Sequence, residues 1–104
     1  MNDVTFIDVY YNLSQALIGL MTDNIRAITF EFSNKRSDLK IRVFTENEAA
    51  DIDRENMYLA ASEAEGMLNQ RINYDLDFIV KEDKISLADK LDVWLFMRYD
   101  PKED

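Results

Sequence analysis

The sequence predicts an α+β domain of αββαββ order, a four-stranded, mostly antiparallel sheet with two helices, and three observations carry that prediction. Apolar residues recur first at helical spacing, then in two alternating runs, and the same succession follows once more. The composition, 47% hydrophobic and 32% charged with 2 Gly and 1 Pro, is that of a compact domain. A weak internal echo sets Gly19-Leu20-Met21 before Ile28-Thr29-Phe30-Glu31-Phe32, and Gly66-Met67-Leu68 before Leu76-Asp77-Phe78. The 104 residues form one domain, 1–104, large enough to bury roughly 60 to 70% of the surface its unfolded chain exposes.

Helix one is predicted over Val4 to Thr22, where Phe6, Tyr10, Leu13, Leu17, Leu20 and Met21 form one stripe and Asn2 or Asp3 caps the first turn. Ile7, Val9, Tyr11 and Ile18 widen its apolar surface, so it packs on more than one neighbour or sits deep. Strands one and two follow as a hairpin. Ile28, Phe30 and Phe32 alternate with polar residues, as do Leu39, Ile41 and Val43 after the polar loop Asn34 to Asp38. The next helix starts between Glu46 and Arg54, because Thr45-Glu46-Asn47-Glu48 has the form of a capping box while Asp51 and Asp53 are equally good caps. Its buried stripe is Met57, Ala60, Ala61, Ala64, Met67 and Leu68, and it ends near Asn69.

The last two strands organise the chain. Tyr74, Leu76, Phe78 and Val80 alternate with Asp75, Asp77, Ile79 and Lys81, and Leu91, Val93, Leu95, Met97 and Tyr99 alternate with Asp92, Trp94, Phe96, Arg98 and Asp100 up to Pro101, so the two are expected to pair across a short polar connection. Ser86 to Lys90 adds either a short helical turn or more loop. Parity of two places Ile28, Phe30, Phe32, Ile41, Val43, Leu76, Phe78, Val93 and Leu95 on the core side of the sheet. On the other face it sets Asp75 and Asp77 beside Trp94 and Phe96, carboxylates next to large aromatics, a mixture that suits a protein interface.

The absence of Cys and His removes disulfides, thiolate sites, thiol nucleophiles, the commonest general base and the commonest transition-metal ligand. Ser14, Ser33, Ser37, Ser62 and Ser86 therefore have no histidine to activate them. Asp51-Ile-Asp53-Arg-Glu55 opens like a calcium loop but has Asn56 and Ser62 where an EF-hand needs Gly and Glu, so acids complementing a helix dipole are the better reading. Asp75-Leu-Asp77 resembles a metal-holding Asp-x-Asp element, yet no phosphate loop or second carboxylate group accompanies it. No catalytic residue, cofactor or metal is expected.

The net charge is −9. Acids Asp3, Asp8, Asp23, Glu31 and Asp38 balance bases Arg26, Lys35, Arg36, Lys40 and Arg42, so the whole excess lies after Phe44. Such a field repels nucleic acid and anionic membrane and attracts a basic protein. Two acidic groups are the candidate contacts: Glu46, Glu48, Asp51, Asp53 and Glu55, and the strand pair Asp75 and Asp77 with Glu82 and Asp83, for which Trp94 and Phe96 supply aromatic anchors. The second is favoured by a small margin, because a sheet holds carboxylates rigidly. No apolar run approaches the roughly 20 residues of a membrane span, and the N-terminus lacks the form of a secretory signal, so a cytoplasmic protein is expected.

With this size, layout and charge, the whole chain resembles a bacterial immunity protein, closest to those paired with contact-dependent growth inhibition toxins. The resemblance implies a small cytoplasmic protein that binds and neutralises a toxin domain delivered by a sibling cell, as a monomer in a 1:1 complex. Toxins of these systems that are nucleases, many of them RNases, tend to be basic, which fits the charge. Such families share no binding motif, so no site residue is carried over. An adaptor for a basic host protein and a small hydrolase using only carboxylates are the competing readings.

Overall fold

A computed structural model describes residues 4–68 and 70–98. The elements are α1 (Phe6–Ala16), β1 (Ile25–Ser33), β2 (Asp38–Thr45), α2 (Asp51–Leu68), β3 (Asn73–Val80), a short 3₁₀ turn (Leu87–Asp89) and β4 (Val93–Met97). This is the αββαββ order, with a mostly antiparallel sheet in the order β3-β2-β1-β4.

Helix α1 is shorter than its periodicity implies. Thr5 caps it, accepting from the Asp8 amide while the Asp8 carboxylate accepts from the Thr5 amide at 3.0 Å, a reciprocal pair that satisfies two otherwise orphaned donors. The expected caps Asn2 and Asp3 lie outside the described residues. The helix stops at Ala16, and the chain turns through Gly19 at φ +83°, a left-handed conformation that glycine adopts without steric cost. Val9, Leu13 and Ala16 are buried; Phe6 is half-buried and stacks on Phe30 with ring centroids 5.0 Å apart. Ile7 and Tyr11, and Ile18 in the turn after the helix, are exposed, so α1 does not sit deep; it packs on two neighbours, Phe30 of the sheet and α2, and Val9 is fully buried.

Strands β1 and β2 form the predicted hairpin, with Phe30 opposite Ile41 and Ser37 taking the left-handed position of the loop at φ +54°. β1 begins three residues earlier than its alternation suggests, and Ile25 to Phe30 are all buried because both faces of the strand are covered. Thr45 ends β2 and starts no capping box. The 18 residues of α2 then carry the chain across one face of the sheet, which returns β3 parallel to β2 with Leu76 opposite Ile41 and Phe78 opposite Val43.

The last two strands do not pair with each other. β4 adds to the free edge of β1, antiparallel, so β3 and β4 occupy opposite edges. Two strands that run in the same direction cannot be joined by a hairpin, and residues 81–92 instead cross the sheet on the face opposite the helices. Two arginines and a threonine fasten this strap. Arg26 Nη1 donates to the Lys81 and Asp83 carbonyls, Arg42 Nη1 to the Asp89 carbonyl at 3.3 Å, and Thr29 accepts from the Leu91 amide at 2.9 Å while donating to the Val93 carbonyl at 2.6 Å. Thr29, a polar-face residue by parity, is fully buried for that reason.

The core lies between the sheet and the two helices. Ile28, Phe30, Ile41, Val43 and Leu76 are buried there as expected, and Phe32, Phe78, Val93 and Leu95 pack against them half-buried. Both helices sit on this face: Phe6 contacts Phe30, and the Arg54 guanidinium lies 4.8 Å above the Phe78 ring. In β4 the pairing shifts between Ile28, opposite Phe96, and Thr29, opposite Trp94. This bulge breaks the period of two. Trp94 faces the strap side, tilted against Phe44 with centroids 6.2 Å apart, whereas Phe96 turns to the helix side and packs on the core.

Candidate protein-interaction surface

The structure separates the two acidic groups. Asp75 and Asp77 point to the face opposite the helices, where the register aligns Glu31, Lys40 and Asp75 in one row and Thr29, Arg42 and Asp77 in the next. Each carboxylate therefore stands next to a cation. Asp77 lies 3.5 Å from Lys40 Nζ and 4.0 Å from Arg42 Nε. Such partly exposed pairs contribute at most about 1 kcal/mol to stability, yet they offset the charge of Asp77, while Asp75 shares its row with Glu31 and Lys40 and forms no ion pair among the described residues. Glu82 and Asp83 are exposed on the strap beyond the end of β3. Nearby, Asp89 pairs with Lys81 at 3.2 Å and accepts from the Ser86 amide at 2.8 Å. Burial pushes the Asp89 carboxyl up, but the hydrogen bonds and the Lys81 charge outweigh it and hold its pKa below the usual range. The aromatic anchor of this region reduces to Trp94, because the bulge places Phe96 on the other side of the sheet.

The first acidic group divides as well. Asp53 is 1% exposed and is not a surface charge. Its carboxylate accepts from the Thr22 hydroxyl, from Asn24 Nδ2 at 2.9 Å and from the Ala50 amide at 2.9 Å, which closes the first turn of α2 and ties it to the segment after α1. Burial would raise its pKa; the three donors prevail and hold it below the ordinary carboxylate range. Asn24 also donates to the Asn47 carbonyl at 3.1 Å and accepts from the Asn47 amide at 2.8 Å, so residues 46–50 are fastened from beneath. Glu46 is exposed and lies 3.6 Å from Arg98. Glu48, Asp51 and Glu55 are exposed and form no ion pair among the described residues.

Sequence reasoning missed the apolar residues that α2 shows to solvent. Ile52 is 53% exposed and Leu59 46%, and with Tyr58 they share the outer face of the helix with Asp51, Glu55 and Glu63. The signal that could have found them is the helical spacing of Ile52, Glu55, Leu59 and Glu63, opposite the buried stripe Met57, Ala60, Ala61 and Ala64; of the rest of the expected stripe, Leu68 is half-buried and Met67, in the last turn, is exposed. Among the described residues no group of three or more carboxylates converges to hold a metal ion, and no helix is long and apolar enough to cross a membrane.

A small α+β fold that shows acids and large apolar side chains to solvent, on both helices and at Leu87 of the strap, has the surface of a protein-binding domain. The comparisons narrow that class to proteins that neutralise toxins. The chain belongs to the MafI2 immunity protein family, whose model matches residues 7–100. A search of curated proteins finds no match.

Proposed function

We propose that the chain neutralises its toxin by laying an acidic surface over a basic substrate-binding site, and that the toxin is a nuclease of the RNase type. The observation that carries this reading is the charge: −9 in all, every unit of the excess after Phe44, with Glu48, Asp51 and Glu55 held at exposed positions. A nuclease presents Lys and Arg where phosphates bind, and carboxylates fixed on a folded surface fill the same positions. Inhibition is stoichiometric, one chain per toxin domain, and the chain itself is no catalyst. It acts in the cytoplasm of the cell that makes it, within the contact-dependent setting the sequence resemblance implies.

The test uses the C-terminal domain of the large protein encoded in the neighbouring reading frame, incubated with purified transfer RNA. Cleavage should stop at one equivalent of the chain, and light scattering should give a 1:1 complex. RNA cleavage that continues at saturating chain refutes neutralisation of that activity, and a toxin domain that binds the chain but cleaves no nucleic acid refutes the nuclease assignment alone.

A further inference from the structure

We infer that the toxin is held by the outer surface of the helical layer, with α2 as its centre, and not by the opposite sheet face. The inference rests on the neutralisation reading above and specifies its docking surface. Charge density decides between the two faces. Between Thr45 and Leu68 stand seven acids, Glu46, Glu48, Asp51, Asp53, Glu55, Glu63 and Glu65, and one base, Arg54, so six of the nine net negative charges belong to a segment of 24 residues. Asp53 is buried, Glu46 is paired with Arg98, and Glu65 accepts from the Ile72 amide at 2.8 Å. Glu48, Asp51, Glu55 and Glu63 remain exposed and unpaired among the described residues, whereas Asp77 shares the sheet face with the cations Lys40 and Arg42. A basic partner meets a net field at α2 and a largely cancelled one at the sheet.

The same helix face carries the apolar contacts that convert encounter into a long-lived complex. Ile52 and Leu59 lie one above the other on the outer stripe with Glu55 and Glu63 between and after them, and Tyr58 flanks them. α1 packs beside α2 on the same side of the sheet, and its outward Ile7 (76% exposed) and Tyr11, with Ile18 (72% exposed) in the turn after it, extend the apolar area; Asp8 is the only charge in the helix. α2 is about 27 Å long and the 11-residue α1 about 16 Å at 1.5 Å per residue, so the two side by side supply a large part of the roughly 800 Å² per partner of a standard interface. The occupant is a basic protein surface with apolar side chains at its centre; a second copy of this chain would set the unpaired acids of two α2 helices against each other.

The experiment measures association of the same purified toxin domain with Glu55→Gln/Glu63→Gln, Ile52→Ala/Leu59→Ala and Asp75→Asn/Asp77→Asn at low and high salt, each variant first checked for an unchanged thermal midpoint. The charge variant of α2 should slow the on-rate several-fold at low salt and little at high salt. The apolar variant should raise the off-rate at least tenfold, and the sheet variant should stay within about twofold of the wild type. If both α2 variants bind as the wild type does, or if the sheet variant alone loses tenfold or more, the docking surface is wrong while neutralisation stands. If the wild type itself does not bind, the functional reading fails and this inference with it. A homodimer that Ile52→Ala/Leu59→Ala dissolves without weakening toxin binding also overturns it.

Discussion

Replacing Asp53 by alanine should destabilise the domain by about 2 to 4 kcal/mol, because a buried carboxylate with three donors is lost. Hydrogen bonds to a charged group contribute about 1.5 to 3 kcal/mol each, but the freed Asn24 and Ala50 donors lie next to an exposed loop where water can replace part of what they lose. For a chain of this length the change lowers the melting temperature by roughly 10 °C or more. Asparagine keeps the shape: its carbonyl can still accept from Ala50 and Asn24, and the Thr22 hydroxyl can rotate to accept from its amide, so Asp53→Asn should cost only about 1 kcal/mol. The pH dependence has a definite sign. The native pKa of Asp53 lies below the unfolded value of about 4, so its stabilisation is fully present above that value and is lost as pH falls through the native one. The gap between wild type and Asp53→Asn should therefore narrow on acidification, while the slope due to Asp8 and Asp89, whose pKa values are lowered too, persists in both proteins. The assay is urea unfolding at pH 7 and pH 3.5, followed by the fluorescence of Trp94, the one tryptophan. An Asp53→Ala protein within 0.5 kcal/mol of wild type, by the usual ~10 to 15% extrapolation error, would refute the capping role, and a gap that does not change with pH would refute the charge argument.

Phe30→Ala should cost about 3 to 5 kcal/mol in the same assay, and the half-buried Phe78→Ala about half of that; equal losses would contradict the burial described above. Thr29→Val should cost about 1 to 3 kcal/mol by stranding the Leu91 amide, and hydrogen exchange should speed up in residues 81–92 before the rest of the sheet. The melting temperature should be indifferent to EDTA, calcium and magnesium; a shift by one divalent ion that Asp51→Asn or Asp75→Asn abolishes would reveal a metal site.

Periodicity was enough for the element types and for most of the core, since a period of two at Ile28, Phe30, Ile41 and Val43 has no other way to bury its apolar set. It could not supply the pairing of β3 and β4. Nothing local distinguishes a polar connection that turns back from one that crosses a sheet, and what decides is long-range: α2 returns β3 parallel to β2, leaving the edge of β1 for the last strand. Arg26, Thr29 and Arg42, which look like solvent-facing strand residues, serve that crossing. The bulge in β4 was equally invisible, and it moved Phe96 away from Trp94.

The candidate site was legible as composition and illegible as geometry. Counting charges along the chain gives Asp77 the same weight as Glu55 and Glu63, and only the strand register shows Asp77 facing Lys40 and Arg42 while the two glutamates face water. Position within α2 matters for the same reason. Asp51 and Asp53 stand in its first turn, where negative charge complements the helix dipole, so their removal weakens the fold together with any contact they make. Glu55 and Glu63 lie beyond that turn, on the outward stripe with Ile52 and Leu59. A loss of toxin binding on neutralising Glu55 and Glu63, at unchanged stability, therefore reports on the interface itself, and the same loss at Asp51 or Asp53 would not.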